Sequence, residues 1–173
     1  MRSEPRPQRR TRQATPQDEQ VLLRFTLDEA VEAEGRAEHP EVIERAIRRA
    51  LSEPEAHARY FVVEQLADQS LNQGLELLGH VSVTKEWSDW NDAHYLWITS
   101  MYVKPSARGT GAMQALLEAV DDFARSVGAP EVRIYVHKGN HRGTRAWLRE
   151  GFQDAPYWMG HRAVSPNEPG AAR

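Results

Sequence analysis

The chain contains no cysteine, which excludes disulfides, thiolate nucleophiles and cysteine-ligated zinc. No segment approaches the ~20 consecutive apolar residues of a membrane span. No apolar run follows the N-terminal arginines, so a secretory leader is not expected. There is no nucleic-acid-like excess of positive charge either: 22 Lys and Arg stand against 25 Asp and Glu, a formal net charge of −3. The seven histidines offer no ligand pair. His137 and His141 straddle a strand end, a turn and a helix start, and so share no helix face. The expectation is a soluble, cytoplasmic protein that uses no metal, no membrane and no nucleic acid.

What is present suits one domain of ordinary size with a substantial core, over 173 residues. Residues 1–9 read as a basic disordered tail, 10–162 as the single domain and 163–173 as a second disordered tail. Arg10 to Ala14 fits a short strand. Thr15-Pro16-Gln17-Asp18 is a strong helix start, with a capping hydroxyl, a proline at the first helical position and an acid at the third. The helix beyond it carries Leu22, Leu23, Leu27 and Val31 at helical spacing and stalls at Gly35. A second helix fits Glu41 to Leu51. Strands are expected at Tyr60–Leu66, Leu77–Lys85, Tyr95–Val103 and Glu131–Val136, with a last one at Tyr157–Arg162. Polar loops are expected at Ala67–Gly74 and Glu86–Ala93. Helices fit Gly111–Val127 and Asn140–Glu150. A strand–helix–strand step around Gly111 implies a parallel pair, while the run of three strands implies antiparallel ones. The fold class is therefore α/β with a mixed sheet.

The turn in "VKPSARGTGAMQALL" aims unpaired N–H groups and a positive helix end at one spot, which suits a phosphate. It is not a Walker loop, since no Lys-Ser/Thr follows its glycines, and it lacks the third glycine of a dinucleotide fingerprint. Alone, it is equally a tight strand-to-helix connection. Further features sit at fixed offsets from it. Val103-Lys104-Pro105 precedes Arg108-Gly109-Thr110-Gly111-Ala112, and Asn140 opens a helix that ends in Glu150-Gly151-Phe152.

Together these resemble the GNAT superfamily of N-acetyltransferases over about Thr11 to Arg162. The stretches "EAEG", "EWSDW" and "WITSMYV" are similar to a bacterial subgroup of it with an EWSDW loop. The resemblance implies a mostly antiparallel sheet flanked by helices, with a splayed central parallel pair of strands, and acetyl-CoA as cosubstrate. It assigns the pantetheine arm and the acetyl carbonyl to the backbone of Met101, Tyr102 and Val103. It assigns the pyrophosphate to the N–H groups of Arg108, Gly109, Thr110, Gly111, Ala112 and Met113, with charge from the Arg108 side chain. Asn140 would bond the pantetheine or the region of the sulfur. Two positions depart from the pattern. Met113 stands where the loop motif ends in Gly or Ala, and Trp147 stands where a Tyr commonly protonates the leaving thiolate. Indole cannot serve as that acid.

The implied reaction is acetylation of a primary amine on a small, cationic molecule. Glu86 is the leading candidate base, with Asp89, His94 or water as alternatives. Glu32 and Glu34, with Trp87, Asp89 and Trp90, are the candidate acceptor site; the alternative for the two glutamates is a solvated helix end paired with Arg36 or Arg45. Two other readings stay open: a non-catalytic acyl-CoA-binding module, and acetylation of a protein N-terminus or lysine. A homodimer is also left open.

Overall fold

The computed structural model describes residues 9–35, 39–65 and 75–164. Most of the N-terminal tail, Arg36, the 67–74 loop and the C-terminal tail from Ser165 lie outside the described residues. The elements are β1 (Arg9–Gln13), α1 (Glu19–Glu34), α2 (Pro40–Ser52), β2 (Arg59–Gln65), β3 (Glu76–Ser88), β4 (Ala93–Val103), α3 (Ala112–Ser126), β5 (Val132–Ile134) and α4 (His141–Arg149).

The turn into α1 forms as its sequence dictates. Thr15 and Asp18 cap each other reciprocally around Pro16, in a short 3-10 turn that leads directly into α1. The same Asp18 then anchors β1, because Arg12 grips it with two guanidinium bonds of 2.8 and 2.9 Å. Arg12 also reaches Glu64 on β2 at 3.0 Å, and Arg10 reaches it at 2.6 Å. Glu64 is fully buried, and a buried carboxylate is tolerable only when paired in this way. Burial alone would raise the Asp18 pKa, but Arg12 and the Thr15 N–H hold it below its usual value. This network fixes where α1 starts relative to the sheet.

The sheet has the order β1-β2-β3-β4-β5, antiparallel except for a parallel β4–β5 pair. Helices cover both faces. Ala14, Leu22, Ile47 and Val62 form the core under α1 and α2. Phe61, Val63, Val81, Val83 and Ile98 pack against Ala112, Leu116 and Val120 of α3 on the other face.

Four expectations change. β1 begins at Arg9, one residue into the stretch read as tail. Glu86–Ser88 and Ala93–His94 are strand rather than loop, because Trp87 stacks edge-on against His94 across the ladder at 5.0 Å. The β3–β4 turn thus shrinks to residues 89–92, with Asp92 in the left-handed region at φ 47°. β5 keeps only Val132–Ile134 and is an edge strand among the described residues, so the parallel pair is not central. Tyr157–Arg162 forms no strand. Pro156 has no N–H to donate, and Tyr157, Trp158 and Met159 face solvent with no sheet face to pack on.

Replacing Arg12 by Ala leaves Asp18 without its guanidinium and Glu64 with one partner. It should lower unfolding free energy by about 2–3 kcal/mol. Arg10→Ala should cost less, since Arg10 is more exposed. Urea denaturation of both variants measures the ranking.

Candidate active site

β4 carries one residue too many for its partner. The register passes from Ser82↔Ser100 to Val83↔Ile98, leaving Thr99 as a bulge. Thr99 is held there by its hydroxyl, 2.9 Å from that of Ser82. On its other side β4 pairs with β5 only at Leu96–Ile98, yet β4 runs on to Val103. The two strands part beyond Ile98, and the gap opens into a cleft of about 1490 Å³. Its walls are Ser100–Val103 on one side and Tyr135–His137 on the other. The turn before α3, the face of α4 and the end of α1 close the rest. Of the residues assigned to the coenzyme by resemblance, all but Ala112 line this cleft; the Ala112 methyl is buried under the sheet.

The turn before α3 takes its shape from Gly109 and Gly111, at φ 72° and 91°. Side chains rarely adopt this region, and no Cβ crowding dictates either glycine. The first helical bond of α3 runs from Ala115 N–H to Gly111 carbonyl at 3.1 Å. The N–H groups before it are the ones a helix start leaves without an intrahelical acceptor. The Arg108 N–H is not one of them: it closes the preceding 3-10 turn onto the Pro105 carbonyl. The Arg108 side chain is engaged as well, donating to the Val103 carbonyl at 2.9 Å and to Glu32 at 2.6 Å. Arg108 therefore ties the end of β4 to α1, and Glu32 pairs with it. Arg9 donates to the Thr110 carbonyl and brings a second guanidinium to the turn.

Asn140 caps α4, its Oδ1 accepting the Gly143 N–H at 2.8 Å. Its place in the chain thus has a structural cause besides any ligand contact. Trp147 packs edge-on against Phe152 at 5.1 Å. Phe152 turns back beneath α4, with its N–H on the Trp147 carbonyl. Gly151-Phe152 is the stop of α4.

The residue that sequence reading passed over as a site member is Glu29. Helical spacing groups it with Glu32 and Glu34 as one acidic helix end. Instead its carboxylate turns inward, accepting the Met101 N–H at 2.9 Å and the Ser100 hydroxyl. The Ser100 oxygen lies 2.8 Å from His80 Nε2. Since Ser100 gives its proton to Glu29, His80 must donate from Nε2. His80 is fully buried, stacked against Phe25 and near Tyr60. Burial pushes its pKa down to about 3, so it stays neutral. Burial likewise raises Glu29 to about 7. The bonds from Ser100 and Met101 oppose that rise, and the charge of Glu34 adds to it. Arg142 and Arg149 of α4, also unforeseen, line the same cleft. The cleft is thus basic near α3 and α4 and acidic at the end of α1.

Glu86, Trp87, Asp89 and Trp90 stand on the β3–β4 hairpin and are not among the walls of this cleft. Glu86 accepts the Trp97 indole N–H and lies 3.9 Å from Arg133. Trp97 in turn packs on Tyr135 of the cleft wall at 6.1 Å. Trp90 is 94 % exposed. Among the described residues, no three His, Asp or Glu side chains gather as a metal site. No helix there is long and apolar enough to cross a membrane.

The sheet is thus parted at its one parallel pair among the described residues, with a glycine turn and a helix start facing the gap. The model of the acetyltransferase (GNAT) family matches residues 22–152, and the chain belongs to that family. The fold is shared with a possible acetyltransferase from Clostridium difficile 630, at 22 % identity and TM-score 0.79 over 91 % of this chain and 99 % of that one. It is shared with a predicted acetyltransferase from Clostridium acetobutylicum, solved with acetyl-CoA, at 18 % identity and TM-score 0.70 over 90 % and 96 % of the chains. A third match is AAC(6')-Iy in complex with the bisubstrate analogue CoA-S-monomethyl-acetylneamine, at 15 % identity and TM-score 0.69 over 91 % and 99 %. No curated protein matches the chain.

A raised carboxylate pKa makes stability fall as pH rises. Between the ordinary 4.5 and about 7, the folded state keeps a proton that the unfolded chain has lost. Glu29→Gln should remove that slope, worth at most about 3 kcal/mol across the window. Denaturation midpoints of parent and variant at pH 4.5 and pH 8 measure it.

Proposed function

We propose that the chain transfers the acetyl group of acetyl-CoA to a primary amine of a small, cationic molecule. The observation that carries this reading is the single cleft joining the parted end of β4 to the glycine turn before α3. The Met101 N–H gives that cleft a backbone donor of the kind a developing oxyanion needs. The N–H groups from Gly109 to Met113, with Arg9 and the α4 arginines beside them, suit a pyrophosphate. Glu29, Glu32 and Glu34 make the α1 end of the cleft acidic, which suits an ammonium-bearing acceptor. The complex of a structural neighbour with a coenzyme–acetylneamine conjugate agrees in chemistry with a cationic amine acceptor. The hairpin residues Trp87, Asp89 and Trp90 remain candidates for contacting the far end of a long acceptor, and Glu86 for shaping the wall through Trp97 and Tyr135.

The test has two arms. Gly111→Val forces a β-branched residue to φ 91°, which costs roughly 1–2 kcal/mol of local strain and closes the approach to the turn. Calorimetry should show acetyl-CoA binding lost in that variant, with the fold retained by circular dichroism. Parent enzyme given acetyl-CoA should release free thiol with spermidine, lysine or kanamycin. Undiminished binding by Gly111→Val contradicts the seat of the coenzyme. Tight binding by the parent with no thiol release from any amine favours the non-catalytic acyl-CoA module.

A further inference from the structure

Glu29 is half-buried, carboxylic and aimed at a backbone donor of the parted strand, and the reading above uses only its charge. We propose that Glu29 is the base that takes the proton of the acceptor's ammonium group, held in place by Ser100 and His80. This rests on the amine-transfer reading above.

The geometry carries the proposal. Glu29 Oε1 sits 2.9 Å from Met101 N, so a thioester oxygen that takes the same N–H displaces it by about one atom's width. The carboxylate then lies beside the carbonyl carbon, where an attacking nitrogen must arrive. The other oxygen stays tied to Ser100, which is braced by His80 beneath it. His80 is stacked on Phe25 with no charge of its own to give. It acts by positioning, and so does Ser100.

The step balances without any further reactant. An ammonium proton passes to the Glu29 carboxylate, and the freed nitrogen forms a bond to the carbonyl carbon. Collapse of the tetrahedral intermediate breaks the carbon–sulfur bond. The nitrogen's second proton reaches the departing thiolate through water, and Glu29 returns its own proton to solvent. The products are an amide, the free thiol and one proton.

The groups facing Glu29 set its titration. From α1 come Glu34, which opposes its charge, and Glu32, whose own charge is tied to Arg108. From β4 come the Ser100 hydroxyl and Met101 N–H, both favouring the anion. β3 offers neutral His80, and β2 offers the Tyr60 phenol, kept protonated by burial and by the charge of Glu29. A carboxyl titrating at about 7 is half in its base form at neutral pH, where a general base works best.

The experiment is the pH profile of thiol release with the best of spermidine, lysine and kanamycin. The parent should show an acidic limb near pH 7 in kcat/KM, besides any limb from the amine itself. E29Q should lose that limb and ~10²–10³-fold in kcat/KM, chiefly in kcat. The amine's own limb and the affinity for acetyl-CoA should be unchanged. S100A removes a bond that favours the anion, so its limb should move to higher pH; a merely structural role for Ser100 would lower the rate without moving the limb. E29Q with the parent's rate and limb overturns the proposal, and so does a limb that stays in place in S100A. Failure of the parent itself to release thiol with every probe would refute the amine-transfer reading first, a result visible before any substitution is made.

Discussion

Everything in this site follows from β4 losing its neighbour before it ends. β4 keeps its ladder to β3 as far as Val103, but β5 stops opposite Ile98. A strand in mid-sheet spends its donors on both neighbours, whereas the last residues of β4 have donors left on one side. That would be a liability at an ordinary edge, where unpaired N–H groups recruit other strands. Here the edge is covered by the turn into α3, by α4 and by the end of α1, so it faces a cleft of limited access rather than bulk solvent. The bulge at Thr99 re-aims the strand at the point where this begins.

Two charge systems then divide the cleft. Arg9, Arg108, Arg142 and Arg149 approach it from β1, the turn and α4, while Glu29, Glu32 and Glu34 approach from α1. Arg108 joins the two by bonding Glu32 and the Val103 carbonyl together. The placement of α1 therefore matters as much as that of the glycine turn. That placement is secured some distance away, where Arg12 bridges buried Glu64 to the cap of α1 at Asp18. An ion network under the first strand and a polar chain under the last part of α1 hold opposite ends of the same helix.

The features legible in the sequence are those in which a backbone demand selects a residue type. Gly109 and Gly111 mark left-handed turn positions, Asn140 marks a cap, and Gly151-Phe152 marks a helix stop. The capping pair Thr15 and Asp18 is of the same kind. The hairpin was misread because aspartate, asparagine and serine in "EWSDWNDA" signal a loop, while pairing of Trp87 with His94 across the strands overrides that signal. Tyr157–Arg162 has strand-like residues but no ladder to join. Glu29 escaped for a different reason. Its spacing from Glu32 and Glu34 describes one acidic helix end, and only the tertiary approach of Ser100 and Met101 turns it inward. His80 gave no signal at all, since a histidine within an apolar strand is more often a satisfied core residue than a functional one.

The central claim is that acetyl-CoA seats in the gap between β4 and β5, on the Met101 N–H and the N–H groups that open α3. Amide hydrogen exchange with and without acetyl-CoA tests it residue by residue. The account predicts new protection at Val103 and Gly109–Met113, with the 89–92 hairpin turn unchanged. Protection confined to the hairpin, or none at the β4 end and the α3 turn under saturating acetyl-CoA, would contradict it.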